Sequence, residues 1–463
     1  MEREGRCRCR SPMAALISES VAVWWEVVNV EEILIQAKKA AEDAEVFSVS
    51  SEETQVSFET NRLKHLQTKQ QTSVALRIIR QGRLGYAVTT NPDEHPNLVD
   101  NAVETSRFGM TARFELPSTN SYPQIEVFSA DVESVPVETM VELGEQLISA
   151  VTKHTPGIIC EAEVTRGVVS VRLMNSRGGQ AEYRKSYFSF GIEGNLTQGT
   201  DMLFVGDSAS SCQPIMEPGT VTDTVLQQLE LAKEQATVPT KSLPTIFTPN
   251  GVASALVMPL MAAFNGKTVL EGASPIGQKL GERVFDQKFQ LWDDPVIPLR
   301  PSSRPCDDEG VPSQRTPLVE AGKVTSFLYD LQTAALANTR STGNGSRGHG
   351  GLPSPSPSAF VVAPGSSTFG DMVGDIKEGL VVEQLMGAGQ GNILGGDFSG
   401  NVLLGYKVEN GKIVGRVKDT MVSGNVYQVL KEIVALGRES RWVGGFLQTP
   451  HIYCPALSVA SKG

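Results

Sequence analysis

The stretch RPCDDEGVPS, residues 304–313, sets three carboxylates in a row between a cysteine and a glycine. In an extended run alternate side chains share a face, so Asp307 and Glu309 would meet while Asp308 points away. Two such carboxylates could hold a hard cation or share a proton. No calcium-loop spacing follows, and Gly310 and Pro312 are turn formers. The residues by themselves favour a structural turn over a metal or acid pair.

The histidines give little more. They are His65, His95, His154, His349 and His451, none is followed by Glu, and no two lie within one helical turn. A zinc hydrolase draws imidazoles or thiolates onto one ion, often from HExxH on a helix. His451 and Cys454 come nearest to a pair, but HIYCPAL reads as a strand, where positions three apart point to opposite faces. The nucleophile pattern GxSxG and the Walker A loop are both absent. GAGQGNILGGDFSG, residues 387–400, fails GxGxxG because Asn392 stands at its last glycine. Tight turns and close backbone approach explain it better.

The elements that must position these groups fall into several units. With 463 residues the chain exceeds one ordinary core. Residues 1–28 read as a disordered or misassigned extension, with the true start at Met1 or Met13 left open. An N-terminal α/β unit spans 29–109. In it NVEEILIQAKKAAEDA puts Val30, Ile33, Leu34 and Ala37 on one helical face behind an Asn29 cap. AEVFSVSS and TQVSFET read as two strands, and TSVALRIIRQGRLGYAVTT as a hairpin turning at Gln81-Gly82. HPNLVDNAVETSRFG reads as a helix closed by Gly109. A middle α/β unit spans 124–236, with strands joined through Arg177-Gly178-Gly179. A β-rich, glycine-rich domain spans 240–463, with hairpins at Ala321-Gly322 and Asn410-Gly411. STGNGSRGHGGLPSPSPS reads as a mobile low-complexity loop. The fold class is α+β, with mixed or antiparallel sheets in the N-terminal units.

The composition sets limits. Hydrophobic residues make up 40%, charged residues 20%, and the net charge is −11. Such a chain is a poor candidate for direct nucleic-acid binding, which needs a basic face. No apolar run suggests a membrane helix. Cys7, Cys9, Cys160, Cys212, Cys306 and Cys454 form no CxxC pair, which suits a reducing, cytoplasmic setting.

The order of SPIGQKLGERV, LWDDP, CDDEGVPSQRTPLVEAGKV, STGNGSR, GDFSGNVLLGYKVENGKI and VSGNVYQVLKEI resembles the TldD/PmbA family, once called modulators of DNA gyrase. LRIIRQGRLGYAVTT followed by LVDNAVETSRFG looks like that family's first domain. The resemblance covers about residues 29–463. It implies one of two kinds of chain. TldD-type chains carry HExxxH on a helix and a cysteine near the C-terminus as zinc ligands, and are metallopeptidases acting on unfolded or extended peptides. PmbA-type chains, also called TldE, lack those ligands and pair with a TldD-type chain.

This sequence resembles the second kind. Where the zinc helix would sit it reads SALVMPLMAAFNG, so residues 258–264 offer no ligand, and Pro259 falls inside the run. An interior proline costs a helix about 3 kcal/mol. GRESRWVGGFLQTP has no cysteine where the third ligand would be. The resemblance thus implies no cofactor bound by this chain, zinc in a TldD-type partner, and a heterodimer or homodimer working on peptides. The CDDEGVP segment is shared by both kinds of chain, so it is not the source of zinc chemistry. Asp307, Asp308, Glu309 and Gly310, with Thr342, Asn344 and Arg347 of STGNGSR, are the candidate walls of a peptide groove or of a subunit interface. Arg347 could hold a peptide carboxylate. Two alternatives stay open. One is a homodimeric hydrolase with an unconventional metal site from Asp307, Glu309 and His349. The other is a regulatory binding protein without hydrolysis.

Overall fold

The computed structural model describes residues 29–91, 95–348 and 351–462. The 1–28 extension, with Cys7 and Cys9, and His349 lie outside them. Helix α1 (Val30–Ala40) begins where the Asn29 side chain accepts the Glu32 N–H, and it buries Val30, Ile33, Leu34 and Ala37 as the spacing predicts. A long hairpin follows, β1 (Asp43–Glu59) and β2 (Arg62–Arg80), turning at Thr60 and Asn61, both at positive φ. The two strands expected from AEVFSVSS and TQVSFET are therefore one. Glu52 and Glu53 between them keep pairing with β2 on one side and a later strand on the other. A strand paired on both sides tolerates polar residues that would end an isolated one.

Gln81 and Gly82, at φ 50° and 70°, turn the chain into β3 (Arg83–Thr89) as expected. Helix α2 (His95–Ser106) ends before Gly109, which is not left-handed and does not cap it. Gly109 instead lies against β3, where an added Cβ would meet the Leu84 carbonyl oxygen at 1.6 Å. Then come α3 (Ala130–Ser134), α4 (Val137–His154), β4 (Ile159–Asn175), β5 (Gln180–Gln198), β6 (Asp201–Ser211) and α5 (Gly219–Leu231). The units at 29–109 and 124–236 give three strands each to one antiparallel sheet, ordered β3-β2-β1-β4-β5-β6.

The remainder holds β7 (Gln235–Ala236), β8 (Lys241–Phe247), α6 (Pro249–Ala255), α7 (Val257–Phe264), α8 (Gly266–Leu270), β9 (Leu291–Asp293), β10 (Thr316–Glu320), β11 (Lys323–Val324) and α9 (Leu331–Leu336). It continues through β12 (Gly345–Ser346), β13 (Ser354–Pro355), β14 (Phe360–Val362), α10 (Phe369–Asp375), β15 (Glu378–Met386), β16 (Asp397–Glu409), β17 (Lys412–Val417), β18 (Thr420–Asn425), α11 (Val426–Val429), β19 (Ala435–Val443) and β20 (Leu447–Ser461). Its main sheet is mixed and twelve-stranded, with β20 pairing β8, β14, β18 and β19. Ala321-Gly322 and Asn410-Gly411 turn their hairpins at positive φ, as expected. The α+β class stands.

Strand alternation decides what faces what. Val74, Leu76 and Ile78 of β2 join α1 and α2 in one core. Ala75, with Phe47, Leu173 and Cys306, belongs to a smaller cluster on the opposite face, against the C-terminal part. A larger core joins α4, α5 and the six-stranded sheet to Ile246, Val381, Leu404 and Tyr406 of the C-terminal sheet. Pro259 does not interrupt a helix from within. Helix α6 ends at Ala255, and Pro259 is the third residue of α7, where its missing N–H leaves no intrahelical bond unmade.

Candidate functional site

The 304–313 stretch is a closed turn. Cys306 and Pro312 form an isolated bridge across it, and Gly310 sits at φ 74°. Asp307 builds this turn. Its Oδ1 accepts the N–H groups of Glu309 and Val311 at 3.0 and 2.9 Å, and its Oδ2 accepts the Gly345 N–H at 2.8 Å. Asp307 and Glu309 do not share one strand face as expected, because the segment is a turn in which Asp307 accepts backbone N–H groups while Glu309 reaches Arg77 and the Leu331 N–H.

Asp308 and Glu309 go to separate cations. Asp308 Oδ1 receives Arg304 Nη1 at 3.2 Å, and its Oδ2 accepts the Arg347 N–H at 2.8 Å. Glu309 Oε1 receives Arg77 Nη1 at 2.6 Å, and its Oε2 accepts the Leu331 N–H at the start of α9 at 2.7 Å. Arg77 also reaches Glu45, its cross-strand partner, at 3.0 Å. Arg347 donates to the same Glu45 and lies over the Phe47 ring. The side chains of Glu45, Arg77, Glu309 and Arg347 are all at most 3% exposed.

Thr342 and Asn344 extend the network. Thr342 Oγ1 donates to Asn344 Oδ1 at 2.7 Å, and Asn344 Nδ2 donates to Asp293 Oδ2 at 2.7 Å. Residues 341–347 of the loop read as mobile are therefore packed inside, with Thr342, Asn344 and Arg347 all buried. Its low-complexity composition hides this, because its anchors are polar and their partners lie far away in the chain.

The structure brings all seven predicted residues together. Of these, Glu309 and Arg347 reach Arg77 and Glu45 of the six-stranded sheet, and Gly310 lies near Leu173 of it. The sequence reading missed Glu45, Arg77, Asp293 and Arg304. The available signal was a charged residue inside an apolar strand, as in VALRII.

The site's electrostatics follow from its inventory. The carboxylates of Glu45, Asp293, Asp307, Asp308 and Glu309 outnumber the guanidinium groups of Arg77, Arg304 and Arg347. Burial pushes Asp293 up to about 6, against the hydrogen bonds from Asn344 and from the Ser358 and Ala359 N–H groups. Burial also raises Glu309, against Arg77, with Asp307, Asp330 and Glu45 adding to the rise. Such an arrangement ties two parts of the chain together through Glu309–Arg77 and Arg347–Glu45.

Zinc donors are scarce. Among the described residues no group of three or more His, Cys, Asp and Glu side chains is placed to hold a metal ion. Asp307 and Glu309 commit their oxygens to N–H groups and to Arg77, and His349 lies outside the described residues. On β20 His451 stacks on Phe369 at 4.7 Å, and burial lowers it to about 4. Cys454 is wholly buried, which holds its thiol protonated. Helix α7 buries Val257, Pro259, Leu260, Ala263 and Phe264.

Comparison with known proteins places these features. Residues 44–107 match the family model described as PmbA/TldA metallopeptidase domain 1, and residues 240–461 match the PmbA/TldA metallopeptidase C-terminal domain. An uncharacterized protein of Methanocaldococcus jannaschii is 26% identical over 88% of this chain and 95% of its own length. The Metalloprotease PmbA homolog of Haemophilus influenzae is 24% identical over 86% of this chain and 88% of its own. The crystal structure of TldE from Thermococcus kodakarensis superposes with a TM-score of 0.84 at 22% identity, covering 93% of this chain and 99% of that one.

Proposed function

This chain belongs to the PmbA/TldD metallopeptidase family, and from that premise we propose that it is a PmbA/TldE-type subunit. It binds no zinc and works beside a TldD-type chain that carries the metal, in a cytoplasmic complex acting on unfolded or extended peptides. The observation that carries this reading is helix α7. The family resemblance puts the zinc ligands there, yet VMPLMAAF offers no nitrogen, oxygen or thiolate donor. The residues do not fit the metal. Leu260 and Phe264 point into the core instead, and full burial of each stabilises the fold by about 1.5–3 kcal/mol. Helix α7 is thus a packing element.

The alternative of a metal site from Asp307, Glu309 and His349 has less support, because the first two carboxylates are already engaged. The part this chain plays is structural. Its buried ion network holds the six-stranded sheet against the C-terminal domain, and so fixes the surface that a partner meets.

The test is zinc content and peptidase activity of the purified chain at neutral pH, alone and with a TldD-type chain. We expect near-zero zinc, no chelator-sensitive cleavage alone, and cleavage when the partner is added. One tightly held zinc per chain, or cleavage by the chain alone that a chelator stops, overturns the proposal.

A further inference from the structure

The hairpin that carries Arg77 inward runs out the other way into an open sheet edge. Strand β3 covers β2 only from Val74 to Arg80. Residues 62–71, apart from Lys64 at a register shift, pair with β1 on one side and with no described strand on the other, and every one of them is exposed. The direction of their backbone groups can be read. Ile79 gives its carbonyl to the Glu42 N–H on the β1 side. By alternation Leu66, Thr68 and Gln70 turn both N–H and C=O toward the open edge.

The side chains there are uncovered too. Leu63 and Leu66 are 48% and 51% exposed. They stand opposite Phe58 and Val56, which are buried in the core beneath α4. The core thus runs out to the edge and stops without a covering layer. The charge on this strand is one-sided. In a chain of net charge −11, β2 contains no acidic residue. At the edge it carries Arg62, Lys64 and Lys69, and the ion pair recorded there is Lys64 with Glu59, at 3.6 Å and half in water. On β1, Glu52 is taken up by Gln70, and Glu53 by Tyr187.

We propose that the free edge of β2, residues 62–71, docks an extended acidic segment of another polypeptide by strand addition. Its backbone would complete the ladder, its alternate apolar side chains would cover Leu63 and Leu66, and its carboxylates would meet Arg62, Lys64 and Lys69. Edge lysines discourage indiscriminate pairing, and the same charges select an acidic strand over a neutral or basic one. They also disfavour a second copy of this chain. The antiparallel register that pairs 62–71 with itself sets Lys64 against Lys69.

The experiment uses the full chain and a labelled ten-residue peptide alternating valine and glutamate, with its lysine counterpart as control, read by fluorescence anisotropy at low salt. The acidic peptide should bind saturably and the basic one at least about tenfold more weakly. The exposed double variant K64E/K69E should weaken acidic-peptide binding by about tenfold or more. Gln70→Pro removes an outward N–H without breaking the β1 ladder, so it should weaken binding while leaving the melting temperature unchanged. No binding, equal binding of the two peptides, or indifference to K64E/K69E overturns the proposal. So does sedimentation showing a dimer that Gln70→Pro dissolves, because a second copy would then own the edge. None of these outcomes bears on zinc content, so this inference and the subunit reading fail separately.

Discussion

The two ends of β2 put like charges in opposite surroundings. At one end Arg77 is sealed between Glu45 and Glu309 with 3% of its side chain exposed. At the other, Lys64 has more than half of its side chain in water beside Glu59. A guanidinium inside the protein has lost its hydration and depends on its carboxylates, so removing either partner strands the other. A lysine at the surface keeps its hydration, and its ion pair adds little. Charge is therefore structural at the inner end and available for recognition at the outer end.

The largest test of that contrast is Arg77→Ala. It leaves Glu45 and Glu309 buried without their shared cation and should cost about 3–5 kcal/mol, measured by urea unfolding. A loss under about 1 kcal/mol would mean that water reaches the inner end, and the contrast would collapse. Gly345→Ala comes next. The added Cβ would stand 2.6 Å from Glu309 Oε2 and under 3 Å from its Cγ and Cδ. Crowding a buried carboxylate with two bonds already in place should cost about 1–3 kcal/mol, and an unchanged melting temperature would argue that the site is loose.

A pH comparison follows. Asp293 titrates near 6 in the folded chain, above its value of 3.8 when unfolded. The folded state therefore keeps a proton that the unfolded state has released, and this contribution to stability falls as pH rises from about 4 through about 6. His451, lowered to about 4 by burial, works in the opposite direction. The informative quantity is thus the difference between the wild type and Asp293→Asn. Between pH 5 and 7 the wild type should lose about 1 kcal/mol relative to the variant. A relative gain would reverse the sign we assign to Asp293. The smallest effects belong to the outer end. Lys64→Ala and Lys69→Ala should each change stability by under about 0.5 kcal/mol, and a loss above about 1 kcal/mol would show that something already covers the edge.

Local signals in the sequence were legible where the physics is local. Asn29 as a cap, Gln81-Gly82 and Asn410-Gly411 as turns, and the amphipathic face of α1 all depend on neighbours a few residues away. Residues 304–313 were readable as a turn for the same reason. The rest was hidden by distance. Nothing near Arg347 announces that its guanidinium meets Glu45, 302 residues away. Nothing in TQVSFET says that its strand began at Asp43. Residues 341–347 of the polar loop looked loose because burial there depends on partners from other units, and composition records only the loop's own residues.

The ion network also has a history in time. Glu45 and Arg77 are direct cross-strand partners, so the first hairpin is made with its own opposite charges already facing each other. Glu309 follows Arg77 by 232 residues. At synthesis rates of about 5–20 residues per second, the hairpin waits about 10–50 s for it. During that interval the face destined to be buried carries a salt pair beside Phe47 and Ala75, so it is less apolar than a bare hydrophobic face would be. The later half then brings Glu309 to Arg77 and Arg347 to Glu45, so each member of the first pair gains one opposite charge as the halves close.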